Sequence, residues 1–170
     1  FIDFERGRRA AIATSHLEIK GTLAIGAFTL SGIADRIDVL TSGGAAILDY
    51  KTGAAPSKKQ VENLMSPQLP LEAAILASGG FGDIGSRATE ALLYLSLASE
   101  KSARTPRLID GAAELAKEAV DALQRRIAWF AEENTPYRSR VRPYRADIAG
   151  DYDHLARVRE WSPSGWAEEE

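Results

Sequence analysis

Three residues, Ser42-Gly43-Gly44, constrain the chain most. They are turn formers set between two apolar runs, and a short glycine turn there folds its flanks back as an antiparallel hairpin. Upstream, Leu17–Leu23 and Ala27–Ile33 alternate apolar and polar residues, the period of half-buried strands, and Asp38–Leu40 continues the second. Downstream, Ala45–Lys51 is a third strand, broken by Gly53–Pro56. An Arg- and Ala-rich helix over Glu5–Ala13 precedes them.

After the hairpin the period changes. Ser57 with Gln60 three residues on forms a capping box for a short helix ending near Leu64. Ser66 is expected to cap a second helix through Leu71, Ile75 and Leu76, with Pro67 and Pro70 in its first turn. Gly79-Gly80-Phe81-Gly82 stops it. Ala91–Leu97 reads as a buried strand with Leu93, Leu95 and Leu97 on one face. Asp110 starts the longest helix, to about Glu133, with Ala116, Val120, Leu123, Ile127 and Phe130 on one stripe and Trp129 in the core. Helix, three strands, helix, strand, helix describes a mixed α/β domain.

Composition narrows the class. At 170 residues, 45% apolar and 26% charged, the chain is globular in character. It is expected to be one domain, cut from something longer, with an extension over about 135–170. Its lack of cysteine excludes a disulfide scaffold, a thiolate zinc site, an iron–sulfur cluster and a cysteine nucleophile, and suits a cytoplasmic location. A net charge of -3 argues against coating nucleic acid by bulk electrostatics. No apolar stretch is long enough to span a membrane.

Three segments carry chemistry: Gly32–Asp38, Ile47–Gly53 and Pro67–Ala74. Strand alternation puts Asp49 and Lys51 on one face and Tyr50 on the other. Asp35 arrives from the neighbouring strand. Two carboxylates on adjacent strands can hold a hard cation such as Mg²⁺ through oxygen. A lysine beside that ion can orient a water or stabilise charge growing on a phosphate. From the residues alone, Asp49 and Lys51 could equally be an ion pair at a strand end.

Gly32-x-x-Asp35, then Asp49-Tyr50-Lys51, then Gln68 on a following helix resembles the signature of the PD-(D/E)XK nuclease superfamily, in its RecB-type branch. The runs Ala34–Asp38, Ile47–Gly53, Pro67–Leu76 and Gly150–Arg157 are further similar to the C-terminal nuclease domains of the AddB family, in its alphaproteobacterial form. The resemblance implies a restriction-endonuclease-like α/β core, a central mixed sheet flanked by helices. It implies Mg²⁺- or Mn²⁺-dependent exonuclease cleavage of DNA, as a single strand delivered by a helicase, during double-strand break processing. The implied partners are an AddA helicase–nuclease subunit and the remainder of an AddB chain.

Carried over by residue, Asp35, Asp49 and the Tyr50 carbonyl would be metal ligands, Lys51 the catalytic lysine, and Gln68 a group facing the site. Glu72 stands where the RecB-type pattern often has Tyr; it shares a helical face with Gln68 and is a further candidate. Glu5 and Glu18 are candidates for the upstream acidic ligand, and Asp38 reads as an ion-pair residue. Many AddB proteins hold an iron–sulfur cluster, which this cysteine-free chain cannot. Arg138, Arg140 and Arg142, and Lys58 beyond the catalytic strand, are candidate phosphate contacts. Arg107 reads as a loop charge. The rival reading is an inactive nuclease-fold module that binds DNA or the helicase partner.

Overall fold

The computed structural model describes residues 2–97 and 106–136. The chain divides into two compact units, 1–128 and 129–170, and the sheet lies in the first.

A helix α1 (Ile2–Arg8) and a 3-10 turn (Arg9–Ala11) lead into strand β1 (Ile12–Ile25), followed by β2 (Phe28–Leu40) and β3 (Ala45–Lys51). Two helices follow, α2 (Lys58–Glu62) and α3 (Gln68–Ala77), then β4 (Thr89–Ser96), β5 (Arg107–Ile109) and α4 (Ala112–Ala131). The strands form one mixed sheet in chain order, β1-β2-β3-β4-β5. All neighbours are antiparallel except β3 and β4, which run parallel across the α2–α3 crossover.

The expected turn is present. Gly43 adopts φ +96°, which a glycine reaches without penalty, and Gly43 N–H donates to the Leu40 carbonyl at 3.0 Å. The apolar run of β3 reflects burial on both faces. Ala45 and Ile47 join the main core with Leu69, Ile75, Leu76, Phe81, Leu92 and Tyr94; Ala46 and Leu48 join a smaller core with Leu93 and Leu95, covered in part by Phe4 of α1. Helix α3 therefore covers one face and α1 the other.

Helix α3 is apolar almost all round, as a fully buried helix must be. Its end is locked where the chain turns back: Thr22 N–H donates to the Gly80 carbonyl at 3.0 Å, and a Cβ on Gly80 would sit 1.9 Å from the Thr22 carbonyl oxygen. Leu69, Ile75 and Leu76 are fully buried, each contributing roughly 2 kcal/mol.

Several sequence expectations are corrected. The first helix spans Ile2–Arg8 rather than Glu5–Ala13, because the strand pairing with β2 already begins at Ile12. Pro67, not Ser66, is the N-cap of α3, and no side chain bonds that end. Leu97 lies beyond β4 and is exposed, unlike Leu93 and Leu95. Arg107 belongs to β5, a strand of three residues and too short to show a period. Trp129 is 55% exposed rather than core, because the buried stripe of α4 consists of Ala112, Leu115, Ala116 and Ala119. The Ser57–Gln60 capping box is present, with Gln60 N–H bonded to Ser57 Oγ at 3.2 Å and Ser57 N–H to Gln60 Oε1 at 2.7 Å. No helix among the described residues is long and apolar enough to cross a membrane.

Candidate active site

The site forms where β3 ends under the first turn of α3. The register Arg36↔Leu48 and Ile37↔Ile47, continued by one step, sets Asp35 opposite Asp49. Here Tyr50 N–H donates to Asp35 Oδ2 at 2.8 Å, so a carboxylate takes the position of a strand carbonyl. Asp49 and Lys51 share the α3 face, as alternation requires.

A chain of contacts joins strand to helix. Lys51 Nζ donates to Asp49 Oδ1 at 2.9 Å and to Gln68 Oε1 at 3.1 Å. Gln68 Nε2 in turn donates to Glu72 Oε1 at 3.1 Å, one helical turn on. Asp49 is 1% exposed and Glu72 4% exposed. Lys51 Nζ also lies 2.9 Å from Asp49 Oδ2, but without hydrogen-bond geometry, and Glu72 Oε2 has no hydrogen-bond partner.

The electrostatics follow from this geometry. Burial pushes the Glu72 carboxyl up to about 7; Gln68 opposes the shift, and the charges of Asp49 and Asp35 add to it. Tyr94 pairs with Asp49 across the β3–β4 ladder, and Lys51 Nζ stands 5.8 Å from its ring centroid. Burial, then Asp49 and Glu72, raise the Tyr94 phenol above its ordinary value, so it stays protonated. The sequence held a signal for Tyr94: alternation against Leu93 and Leu95 puts it on the site face.

The loop after Lys51 is held from β4 and β5. Leu97 N–H donates to the Lys51 carbonyl at 2.8 Å, Ser96 Oγ to the Gly53 carbonyl at 3.3 Å, and Arg107 to the carbonyls of Ala55 and Pro56.

Glu18 adjoins the Asp35 side of the site, and the other candidates lie elsewhere. Glu5 is on the α1 face, with both carboxylate oxygens 3.0 Å from the Arg36 guanidinium, and is not brought to Asp49. Asp38 is 0% exposed and is held by Arg36 Nε at 2.7 Å, Arg8 at 2.9 Å and Ser15 Oγ at 2.6 Å, an ion-pair residue on the same face. Burial works against the Arg36 charge, but hydrogen bonds to Asp38, Glu5 and Tyr50 outweigh it and raise the guanidinium pKa further. Glu18 falls opposite Asp35 in the β1–β2 register, at φ +48°, and the two line an open cleft of about 530 Å³ with Leu17 and Tyr50. Lys58 is paired with exposed Asp110, which raises its pKa. Arg138, Arg140 and Arg142 lie outside the described residues.

Among the described residues no three His, Cys, Asp or Glu side chains converge as a ready-made metal cluster. The donor set still fits a hard divalent cation, which binds through a few carboxylates and completes its shell with water. Asp49 Oδ2 and Glu72 Oε2 are buried oxygens without hydrogen bonds, the condition an ion relieves.

An acid–lysine pair at the end of a central strand, beneath a helix that supplies Gln and Glu, defines the site. The model of the PD-(D/E)XK nuclease superfamily matches residues 2–152, and the chain belongs to that superfamily, whose members are generally nucleases using divalent metals. An uncharacterized protein of Rickettsia typhi is 44% identical over 85 residues, 48% of this chain and 10% of that protein. Uncharacterized proteins of Rickettsia bellii and Rickettsia conorii are each 41% identical over 85 residues, with the same coverage. The match thus spans about a tenth of these relatives' length. The crystal structure of SSO0001 aligns at a TM-score of 0.43 and 12% identity, covering 74% of this chain and 56% of that one.

Proposed function

We propose that this chain is a divalent-metal-dependent DNA exonuclease domain of the AddB type, acting on a single strand delivered by a helicase during double-strand break processing. The observation that carries the catalytic part is the Lys51 ammonium, fixed between Asp49 and Gln68, next in the chain to Tyr50, whose N–H holds the Asp35 carboxylate. The wider role rests on the resemblance of residues 34–38, 47–53, 67–76 and 150–157 to AddB nuclease domains, and on relatives that carry the matched segment within much longer chains. An AddA-type subunit and the rest of an AddB chain are the proposed partners.

Asp35, Asp49 and the Tyr50 carbonyl would hold the cation, Mg²⁺ or Mn²⁺. When bound, it supplies a Lewis acid that neutralises phosphate charge and lowers the pKa of a water. The Tyr50 N–H bond fixes Asp35 at the sheet edge before any ligand arrives. Asp49 and Gln68 take two of the three Lys51 donors, and the side chain is 31% exposed, so the third can meet a phosphate oxygen or the attacking water. A preorganised ammonium costs no reorganisation as charge develops.

The test is cleavage of end-labelled single-stranded DNA by the chain with Mg²⁺, with Mn²⁺ and with EDTA, beside Lys51→Ala. Metal-dependent cutting is expected, lost in Lys51→Ala at unchanged circular dichroism. Cutting that persists in Lys51→Ala overturns the assigned mechanism.

A further inference from the structure

Charge around the site is out of balance, with Asp49 and Glu72 buried and Asp35 half-buried. Asp35, Asp49 and Glu72 bring three carboxylates, and Lys51 is the one cation hydrogen-bonded to this group among the described residues. With all ionised, two negative charges remain. A buried, uncompensated carboxylate costs several kcal/mol. A divalent cation is the ligand whose charge closes that deficit.

The unpartnered atoms say where it would sit. Glu72 is the only charged residue on the buried surface of α3, among Leu69, Pro70, Ala73, Ala74, Ile75 and Leu76. Gln68 fixes one of its oxygens at 3.1 Å, which sets the carboxyl's orientation, while Oε2 has no hydrogen-bond partner. Asp49 repeats the pattern on the strand: Oδ1 accepts from Lys51, and Oδ2 makes no hydrogen bond. Helix and strand each present one buried oxygen without a hydrogen bond: that of Asp49 lies 2.9 Å from the Lys51 ammonium, and that of Glu72 has no ion pair either.

We propose that Glu72 is a cation ligand of this site, so that the ion takes one carboxylate from β3 through Asp49 and one from α3 through Glu72. The inference rests on the metal-dependent reading above and adds a ligand to it. It gives the ion a structural consequence, since it ties α3 to β3. Gln68 then has two tasks: it holds Lys51 by its carbonyl and aims Glu72 by its amide.

The test is calorimetric titration of Mn²⁺ into the 170-residue chain, with thermal unfolding in EDTA and in Mn²⁺, for wild type, Glu72→Gln and Lys51→Ala. Glu72→Gln preserves shape and removes the charge. Expected are Mn²⁺ affinity at least tenfold weaker in Glu72→Gln, with a reduced metal-induced rise in melting temperature. Its melting temperature in EDTA should be no lower than wild type, and Lys51→Ala should still bind. Equal Mn²⁺ affinity in wild type and Glu72→Gln overturns the inference and leaves the nuclease reading standing; the orphan oxygens would then hold a proton or water. No Mn²⁺ binding by folded wild type overturns both.

Discussion

In the metal-free protein, Glu72 should be a pH-dependent weakness in the fold. Its pKa lies near 7 in the folded protein, against 4.5 ordinarily, because burial disfavours the charged form and Asp49 and Asp35 repel it. Below pH 4.5 both folded and unfolded chains hold the proton. Between 4.5 and 7 the unfolded chain releases it and the folded chain does not, so stability falls as pH rises; above 7 the loss is complete. At about 1.4 kcal/mol per unit, a shift from 4.5 to about 7 amounts to about 3 kcal/mol. The assay is urea unfolding in EDTA from pH 4 to pH 8, for wild type and Glu72→Gln. The variant lacks the titration, so the difference between the two profiles isolates Glu72 from every other group. Wild type should lose about 3 kcal/mol relative to the variant across this range. Parallel profiles would refute the reasoning, showing that Glu72 is solvated or already neutralised by Lys51.

Two other outcomes follow from packing. Asp38→Ala, which leaves buried Arg36 short of a partner, should cost about 3 kcal/mol or more in urea unfolding; a loss under about 1 kcal/mol would show that water reaches the cluster. Gly80→Ala drives a Cβ against the Thr22 carbonyl and should cost about 1–3 kcal/mol, whereas Gly82→Ala meets no atom within 4 Å and should cost only the strain of its φ of +58°, about 1 kcal/mol. Equal midpoints for the two variants would remove the steric argument.

Most of the site was legible because its parts repeat at local periods. Asp49 and Lys51 share a face by the strand period, and Gln68 and Glu72 by the helical turn; the Ser42–Gly44 turn then sets the hairpin that brings Asp35 alongside. The strand and helix order was legible from the same periods, whereas the mixed sheet was only implied by the resemblance, since no local period shows that β3 and β4 run parallel. What stayed hidden depends on docking. Glu5 lies 31 residues from Arg36, and no local period reveals that α1 packs on the face away from Asp49. The bounds of α1 were missed because Arg and Ala favour continuing the helix past Arg8, while the β2 ladder claims the chain from Ile12. Ser66 has a capping side chain, yet Pro67 directly after it takes the cap position itself.

The sheet carries buried charge on both faces, and the two clusters differ in the property that separates a structural network from a reactive one. On the α1 face, Glu5 and Asp38 meet Arg8 and Arg36: charge balances within the cluster, and Arg36 alone reaches Asp38, both oxygens of Glu5 and the Tyr50 hydroxyl. Such a cluster holds α1 to the sheet; its two buried atoms without a hydrogen bond, Arg8 Nη1 and Asp38 Oδ2, meet each other as an ion pair at 2.9 Å. On the α3 face, carboxylates outnumber the ammonium, and the buried Glu72 Oε2 makes neither a hydrogen bond nor an ion pair, which is costly while it is charged. A proton on Glu72 or a bound cation removes that cost. Tyr50 stands between the two: its side chain accepts from Arg36 on one face while its N–H fixes Asp35 on the other. The balanced cluster thus stiffens the strand end on which the unbalanced one depends, and a site that holds uncompensated charge needs that rigid support.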